Sequence, residues 1–215
     1  MIGLGGGPVR EVVALGAHCD DIAIGAGGTL LTLCAARPGL RVHALVCTGG
    51  GTAREAEERG ALVACCPDAD LDVTVLDLPD GLLPARWERV KRALEALRGR
   101  AAPDLVLAPN RHDAHQDHRL LAELAPTVFR DHLTLGYEIA KWDGDLGRPT
   151  AYQPLTEAVL DEKVALLHEH YHSQLGRDWF GRDTFLGLAR LRGVQCRARF
   201  AEAFFVDKLT LDLAG

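Results

Sequence analysis

The sequence predicts an α/β fold: a doubly wound, mostly parallel sheet with helices on both faces (Rossmann-like) and a strand order beginning 3-2-1-4. Three observations predict it. Short apolar runs recur along the chain, several closed by glycine or proline, as in strands buried within a sheet. Between them lie stretches with apolar residues at helical spacing. The two patterns alternate, which is the signature of strand–helix–strand units.

The elements follow in order. Val12 to Gly16 is an apolar run ended by glycine, a buried-strand signal. A helix over Ile24 to Ala36 begins in small residues and stops at Pro38–Gly39. Arg41 to Cys47 is the second strand, and the glycines at 49–51 make the turn after it. Arg54 to Cys66 reads as a helix with Glu55, Glu57, Glu58 and Arg59 on a solvated face and Ala61, Leu62 and Val63 turned inward. Leu71 to Leu78 is a third strand, and Pro84 to Arg100 an amphipathic helix with Val90, Leu94 and Leu97 on one side. Leu105 to Ala108, closed by Pro109, is the fourth strand, and His115 to Phe129 the next helix. Leu133 to Ile139 is a fifth strand, Lys141 to Arg148 a polar loop, Leu155 to His172 and Trp179 to Leu191 helices, and Phe200 to Val206 a late strand.

With 215 residues and no internal repeat or linker, the chain is expected to form one domain over 1–215, its glycine-rich residues 1–10 a flexible leader. Gly3 to Pro8 is no dinucleotide fingerprint, because it precedes the first strand and has proline in the third glycine's place. A net charge of −6 argues against a nucleic-acid partner. No apolar run reaches the ~18–20 residues needed to cross a bilayer, so no membrane partner is expected. The start lacks the basic-then-apolar layout of a secretory signal, and six cysteines without a C-x-x-C pair read as reduced, mostly buried thiols of a cytoplasmic protein. The sequence leaves a homo-oligomer open.

Of nine histidines, three lie between 112 and 118, and histidine is the usual metal ligand and proton carrier near neutral pH. Two motifs carry the chemistry. Gly16-Ala17-His18-Cys19-Asp20-Asp21 follows the first strand, and one turn of backbone brings His18 and Asp21 to one point. The competing plain reading makes Asp20 and Asp21 helix-capping carboxylates. His112-Asp113-Ala114-His115-Gln116-Asp117-His118 follows the fourth strand, with His115 and His118 one helical turn apart and Asp113 or Asp117 placed to fix an imidazole tautomer. There the plain reading is a solvated helix start. In the order 3-2-1-4 the first and fourth strands are neighbours, and their carboxyl ends flank the crevice where such sheets bind ligands. A three-ligand site with an open fourth position marks a catalytic zinc.

At these two motifs the sequence resembles the LmbE-like (PIG-L) N-deacetylase family, zinc enzymes that remove acetyl groups from N-acetylated amino sugars. Ala17-His18-Cys19-Asp20-Asp21-Ile22 stands where that family has Ala-His-Pro-Asp-Asp-Glu, and His115-Gln116-Asp117-His118 where it has His-x-Asp-His. Gly27-Gly28-Thr29, Arg54 with Glu55 and Glu58, Asp80-Gly81, Lys163 and His172-Ser173-Gln174 extend the likeness over roughly residues 11 to 206. The resemblance implies His18, Asp21 and His118 as ligands of one Zn2+ or another divalent transition metal per chain. It implies Asp20 as general base, and His115 as the group that stabilises the oxyanion and protonates the leaving amine, with Asp117 orienting it. Cys19 and Ile22 depart from the family's proline and glutamate, and neither has a role in that scheme.

The implied activity is hydrolysis of the N-acetyl group of an N-acetylglucosamine-type sugar, a small-molecule substrate. At the rim, Arg54 and Asp80 are candidates for holding sugar hydroxyls or a charged aglycone, and Trp142 and Asp143 for a flat apolar face and an acceptor. The alternatives are a metal-dependent amidase acting on a non-sugar or thiol-conjugate amide, and a non-catalytic sugar-binding module on the same fold. His168 and His170 are expected on the surface, and His172 as a hydrogen-bonded or rim residue.

Overall fold

The structure is a computed structural model and describes residues 9–210. Along the chain run β1 (Glu11–Gly16), α1 (Asp21–Ala36), β2 (Arg41–Thr48), α2 (Ala53–Cys65), β3 (Asp70–Leu78), α3 (Trp87–Arg98), β4 (Leu105–Pro109) and α4 (Gln116–Val128). They are followed by β5 (Leu133–Tyr137), β6 (Ala151–Leu155), α5 (Glu157–His170), α6 (Arg182–Cys196) and β7 (Phe200–Phe205), with 3-10 turns at Leu83–Arg86 and His172–Gln174. The strands make one sheet in the order β3-β2-β1-β4-β5-β7-β6. Pairing is parallel from β3 through β5, and β7 runs antiparallel to both β5 and β6.

The expected 3-2-1-4 order follows from strands buried on both faces. Val12 and Ala14 of β1 join the core under α1, α2, α5 and α6, while Val13 and Leu15 join the core under α3 and α4. A strand covered on both sides must be apolar throughout, which is why β1, β2 and β4 stand out in the sequence.

Four details differ from expectation. In α2, Glu58 is fully buried and Val63 is exposed, because the helix is rotated to turn Glu58 towards Tyr171, whose hydroxyl donates to Glu58 Oε2 at 2.7 Å. The strand β6 falls between the expected loop ending at Arg148 and the expected helix starting at Leu155: it holds Pro154 and lies at the sheet edge, where proline is tolerated. The helix α5 starts at Glu157, where the Thr156 hydroxyl accepts from Val159 N–H at 3.2 Å. The helix α6 starts three residues late, since Trp179 and Phe180 pack edge-on at 5.4 Å in an aromatic cluster, and it runs on to a left-handed Arg197.

The helix α1 carries an ion pair inside its backbone ladder. Lys163 Nζ donates to the Ile24 carbonyl and to Glu202 Oε1, both at 2.6 Å. Glu202 in turn accepts from Gly28 N–H at 2.8 Å and Thr29 N–H at 2.7 Å. Gly28 N–H and the Ile24 carbonyl are the two groups that pair with each other in an α-helix, and Glu202 and Lys163 bond to that same pair. The first turn of α1, which bears Asp21, is thereby tied to α5 and β7.

Residues 1–8 of the glycine-rich start lie outside the described residues, whereas Arg10 is bound, its N–H donating to Asp104 Oδ2 at 2.7 Å. All six cysteines are free, five of them buried. No helix among the described residues is long and apolar enough to cross a membrane.

Candidate metal centre

The carboxyl ends of β1 and β4 are adjacent, and the helices that follow them pack on opposite faces of the sheet. The crevice this opens is a cavity of about 580 Å3 lined by His18, Asp20, Asp21, His115 and His118, with Arg54, Asp80 and Trp142 towards the rim.

Asp21 closes the loop that bears the first motif. Its Oδ2 accepts from the Ala17 and His18 N–H groups, each at 2.8 Å, which leaves Oδ1 facing His118 Nε2 at 3.2 Å. His18 Nδ1 lies 3.0 Å from His118 Nε2 and 3.6 Å from Asp21 Oδ2. Burial works against a charge on Asp21, but His118 and His18 outweigh it and hold the carboxyl well below the usual range. Burial likewise opposes charge on both imidazoles, yet Asp21 and the other carboxylates push His18 up to about 12 and His118 up to about 9. Two ring nitrogens and a carboxylate aimed at one point call for a cation there. Ligands held ~2.0–2.1 Å from a tetrahedral ion stand roughly 3.3 Å apart, so the donor set fits a divalent metal. His18, His115 and His118 also offer ring nitrogens within 4.8 Å of one another, and ring nitrogens of His18 and His115 lie equally close to carboxylate oxygens of Asp80 and Asp117.

The second motif supplies the supports. His118 Nδ1 lies 2.9 Å from Asp113 Oδ1, and Lys141 Nζ bridges Asp113 Oδ1 at 3.0 Å and Asp145 Oδ2 at 2.7 Å. His115 is the N-cap of α4, its Nδ1 accepting from Asp117 N–H at 3.2 Å. That leaves Nε2 as the nitrogen that carries the proton. Burial, then His118 and His18, lower the His115 pKa, so the ring is a neutral donor. Asp117 does not orient His115 with its carboxylate. Its oxygens accept from Gly81 N–H at 2.8 Å and Leu83 N–H at 3.0 Å and meet His18 Nε2 at 3.2 Å, because α4 turns that side chain towards the loop after β3.

Asp20 caps nothing with its side chain and sits at φ 130°, a strained position for a residue with a Cβ. The capping alternative therefore fails for Asp20. Its Oδ2 accepts from Arg54 Nη2 at 3.0 Å, and Arg54 Nη1 donates to Ser173 Oγ at 3.0 Å. Burial and the adjacent Asp21 carboxylate lift Asp20 to about 7 against the lowering effect of Arg54. Cys19 turns its thiol to the Thr48 carbonyl at 3.4 Å, and burial pushes it up to about 12, so it stays protonated.

Arg54 is thus engaged with the aspartate beside the metal point. Asp80 reaches His18 Nε2 at 3.0 Å while remaining largely exposed. Trp142 stands exposed on the cavity wall, but Asp143 does not line it; the loop turns Lys141 inward instead. His168 is half-buried against Phe180, and His172 is exposed and off the cavity. Lys141, Gln174, Arg177 and Trp179 line the cavity without having been foreseen. Only the aromatic and basic residues near 177–179 offered a signal, and no spacing rule connects them to the motifs.

The PIG-L: GlcNAc-PI de-N-acetylase family matches residues 13–129, just over half of the chain and the part that holds both motifs. A comparison with curated proteins gave no match. Among solved structures, the N,N'-diacetylchitobiose deacetylase of Pyrococcus horikoshii is 20% identical with a TM-score of 0.68, over 92% of this chain and 84% of that one. A conserved protein of Thermus thermophilus is 24% identical with a TM-score of 0.73, over 95% and 97%. The 4-carboxy-2-hydroxymuconate hydratase of Pseudomonas putida is 18% identical with a TM-score of 0.70, over 95% and 100%. These likenesses establish a shared fold. With the family match spanning both the His18–Asp21 and the His115–His118 segments, the chain belongs to the PIG-L (GlcNAc-PI de-N-acetylase) family.

Proposed function

We propose that the chain hydrolyses the N-acetyl group of an N-acetylated amino sugar, releasing acetate and the free amine, with one zinc or similar divalent ion held by His18, Asp21 and His118. The observation that carries this reading is the convergence of His18 Nδ1, His118 Nε2 and the Asp21 carboxylate beside a second buried carboxylate, Asp20. A divalent ion at that point polarises an amide carbonyl and lowers the pKa of a water towards ~7.

The chain's own residues do the rest. Asp20 is the base: a carboxyl lifted to about 7 is ionised enough to accept a proton and basic enough to hold it. Arg54 fixes its Oδ2, so the other oxygen is the one that receives the proton. His115 presents its Nε2–H to the developing oxyanion. Protonation of the amine by His115 would need an imidazolium, which burial and two neighbouring imidazoles disfavour. The proton that Asp20 takes from water is therefore the one returned to the leaving nitrogen. A C–O bond forms, the C–N bond breaks, and one water is consumed. Asp117 and Asp113 act through His18 and His118 as positioning residues.

The test is to incubate zinc-loaded protein with N-acetylglucosamine, its glycosides and a nucleotide-linked form, and to measure acetate and amine. Equimolar release that stops with chelator and returns with zinc is expected. Silence across the panel would overturn the reading, and hydration of an unsaturated acid in its place would align the chain with the hydratase of the same fold.

A further inference from the structure

The segment from Glu138 to Gly147 follows β5, lies beyond the stretch that matches the family, and turns Glu138, Lys141 and Asp145 inward. At its base the buried Arg192 of α6 donates to both oxygens of Glu138, from Nη2 to Oε1 at 2.5 Å and from Nε to Oε2 at 2.8 Å. Its Nη2 also donates to the Gly147 carbonyl at 3.2 Å, so one guanidinium ties both ends of the loop. Within the loop, Asp145 Oδ2 accepts from Ala114 N–H and from Lys141 Nζ, each at 2.7 Å. The Lys141 side chain is only 8% exposed, and its Nζ also meets Asp113, 3.0 Å from Oδ1 and 3.1 Å from Oδ2. Asp113 Oδ1 accepts from His115 N–H at 2.8 Å and faces His118 Nδ1 at 2.9 Å. That nitrogen is buried, and no other acceptor meets it among the described residues.

We propose that Lys141 is a positioning residue of the metal centre: its ammonium holds Asp113 against His118, and the loop thereby sets how tightly the chain grips a divalent transition-metal ion. This rests on the proposed metal centre, in which His118 turns Nε2 to the ion and Nδ1 to Asp113. An acceptor on the second ring nitrogen fixes the orientation of a ligating imidazole. Asp113 serves only while it stays ionised and in place, and it shares one ammonium with Asp145. Taking that cation away leaves two enclosed carboxylates without their counter-charge, which is costly enough to displace them. The sign of the effect is diagnostic. A lysine acting only through its charge would repel the ion, and its removal would tighten binding. A lysine that holds Asp113 in place gives the opposite result.

The test needs no substrate, so its outcome is separate from that of the acetate assay. Metal-free protein is titrated with Zn2+ against a chelating indicator in the wild type, Lys141→Met, Lys141→Arg and Asp145→Asn. Lys141→Met should raise the Kd for the metal about 10–100-fold, and Lys141→Arg, which keeps a cation between the carboxylates, should recover part of the loss. The visible absorption of bound Co2+ should shift in Lys141→Met, because the His118 ring turns. A loss of fold stability alone would leave that spectrum as it is. Unchanged or tighter binding in Lys141→Met, or an unshifted Co2+ spectrum, would overturn the role of Lys141 while leaving His118 a ligand. Should Lys141→Met fail to fold, Asp145→Asn decides: weaker binding, by a smaller factor, supports the role, and unchanged or tighter binding overturns it. A wild type that takes up no metal would overturn the metal centre and the role of Lys141 together.

Discussion

Asp20 and Asp21 are adjacent carboxylates driven in opposite directions by their surroundings. Asp21, accepting two backbone N–H groups and facing two imidazoles, stays ionised, whereas burial and Asp21 itself lift Asp20 to about 7. Arg54 opposes that lift, so its removal must raise Asp20 further. A base works only when ionised, so Arg54→Ala should move the acid limb of kcat/KM to higher pH, by on the order of one unit, in a pH–rate profile. A second buried acid lies outside the proposed reaction. Glu58 is pushed up to about 8 by burial, with only the Tyr171 hydroxyl as hydrogen-bond partner among the described residues. A carboxyl whose folded pKa is raised is harmless below its unfolded value and costs stability as pH climbs towards the folded one. Glu58→Gln should therefore shrink the stability lost between about pH 5 and about pH 8 by on the order of 2 kcal/mol in denaturant titrations. The inward turn of Glu58 was not legible, because a glutamate among Glu55, Glu57 and Arg59 reads as solvated surface.

At the scale of elements, the strands buried on both faces were legible and the edge was not. β1, β2 and β4 are apolar because both sides are covered, but β6 meets the sheet along one side only and has Pro154 within it. The ion pair on the backbone of α1 was also hidden, since Lys163 and Glu202 reach it from 139 and 174 positions away. Lys163→Met leaves Glu202 as a buried charge without its partner, and thermal or chemical denaturation should show a loss of about 3–5 kcal/mol. The same helix passes too close to β5 for any side chain at Gly25, where an added Cβ would overlap the Tyr137 ring. Gly25→Ala should be destabilising by roughly 1–3 kcal/mol, or more if Tyr137 loses the bond from its hydroxyl to the Leu15 carbonyl.

For the whole molecule, the candidate site is a product of topology. His18 and His118 are 100 positions apart and stand 3.0 Å from each other because strands one and four are neighbours. Both motifs were legible from residue type and spacing, and the switch point explains why they meet. The Asp113–Lys141–Asp145 support and the Trp142–Arg177–Trp179 rim were not, because loops place them and no periodicity links them. A metal that binds only the folded chain stabilises it by about 2.7 kcal/mol at 100 times its Kd. Zinc should raise the Tm of the wild type, whereas His118→Ala should show neither the rise nor a full equivalent of metal. In the proposed reaction Asp20 is the base beside a metal that it does not itself hold. The most direct measurement is therefore kcat for acetate release by Asp20→Asn with its metal content determined on the same sample. A full equivalent of metal and a kcat lowered by ~10²–10⁴ are expected; wild-type turnover in the metal-replete variant would rule out Asp20 as the base.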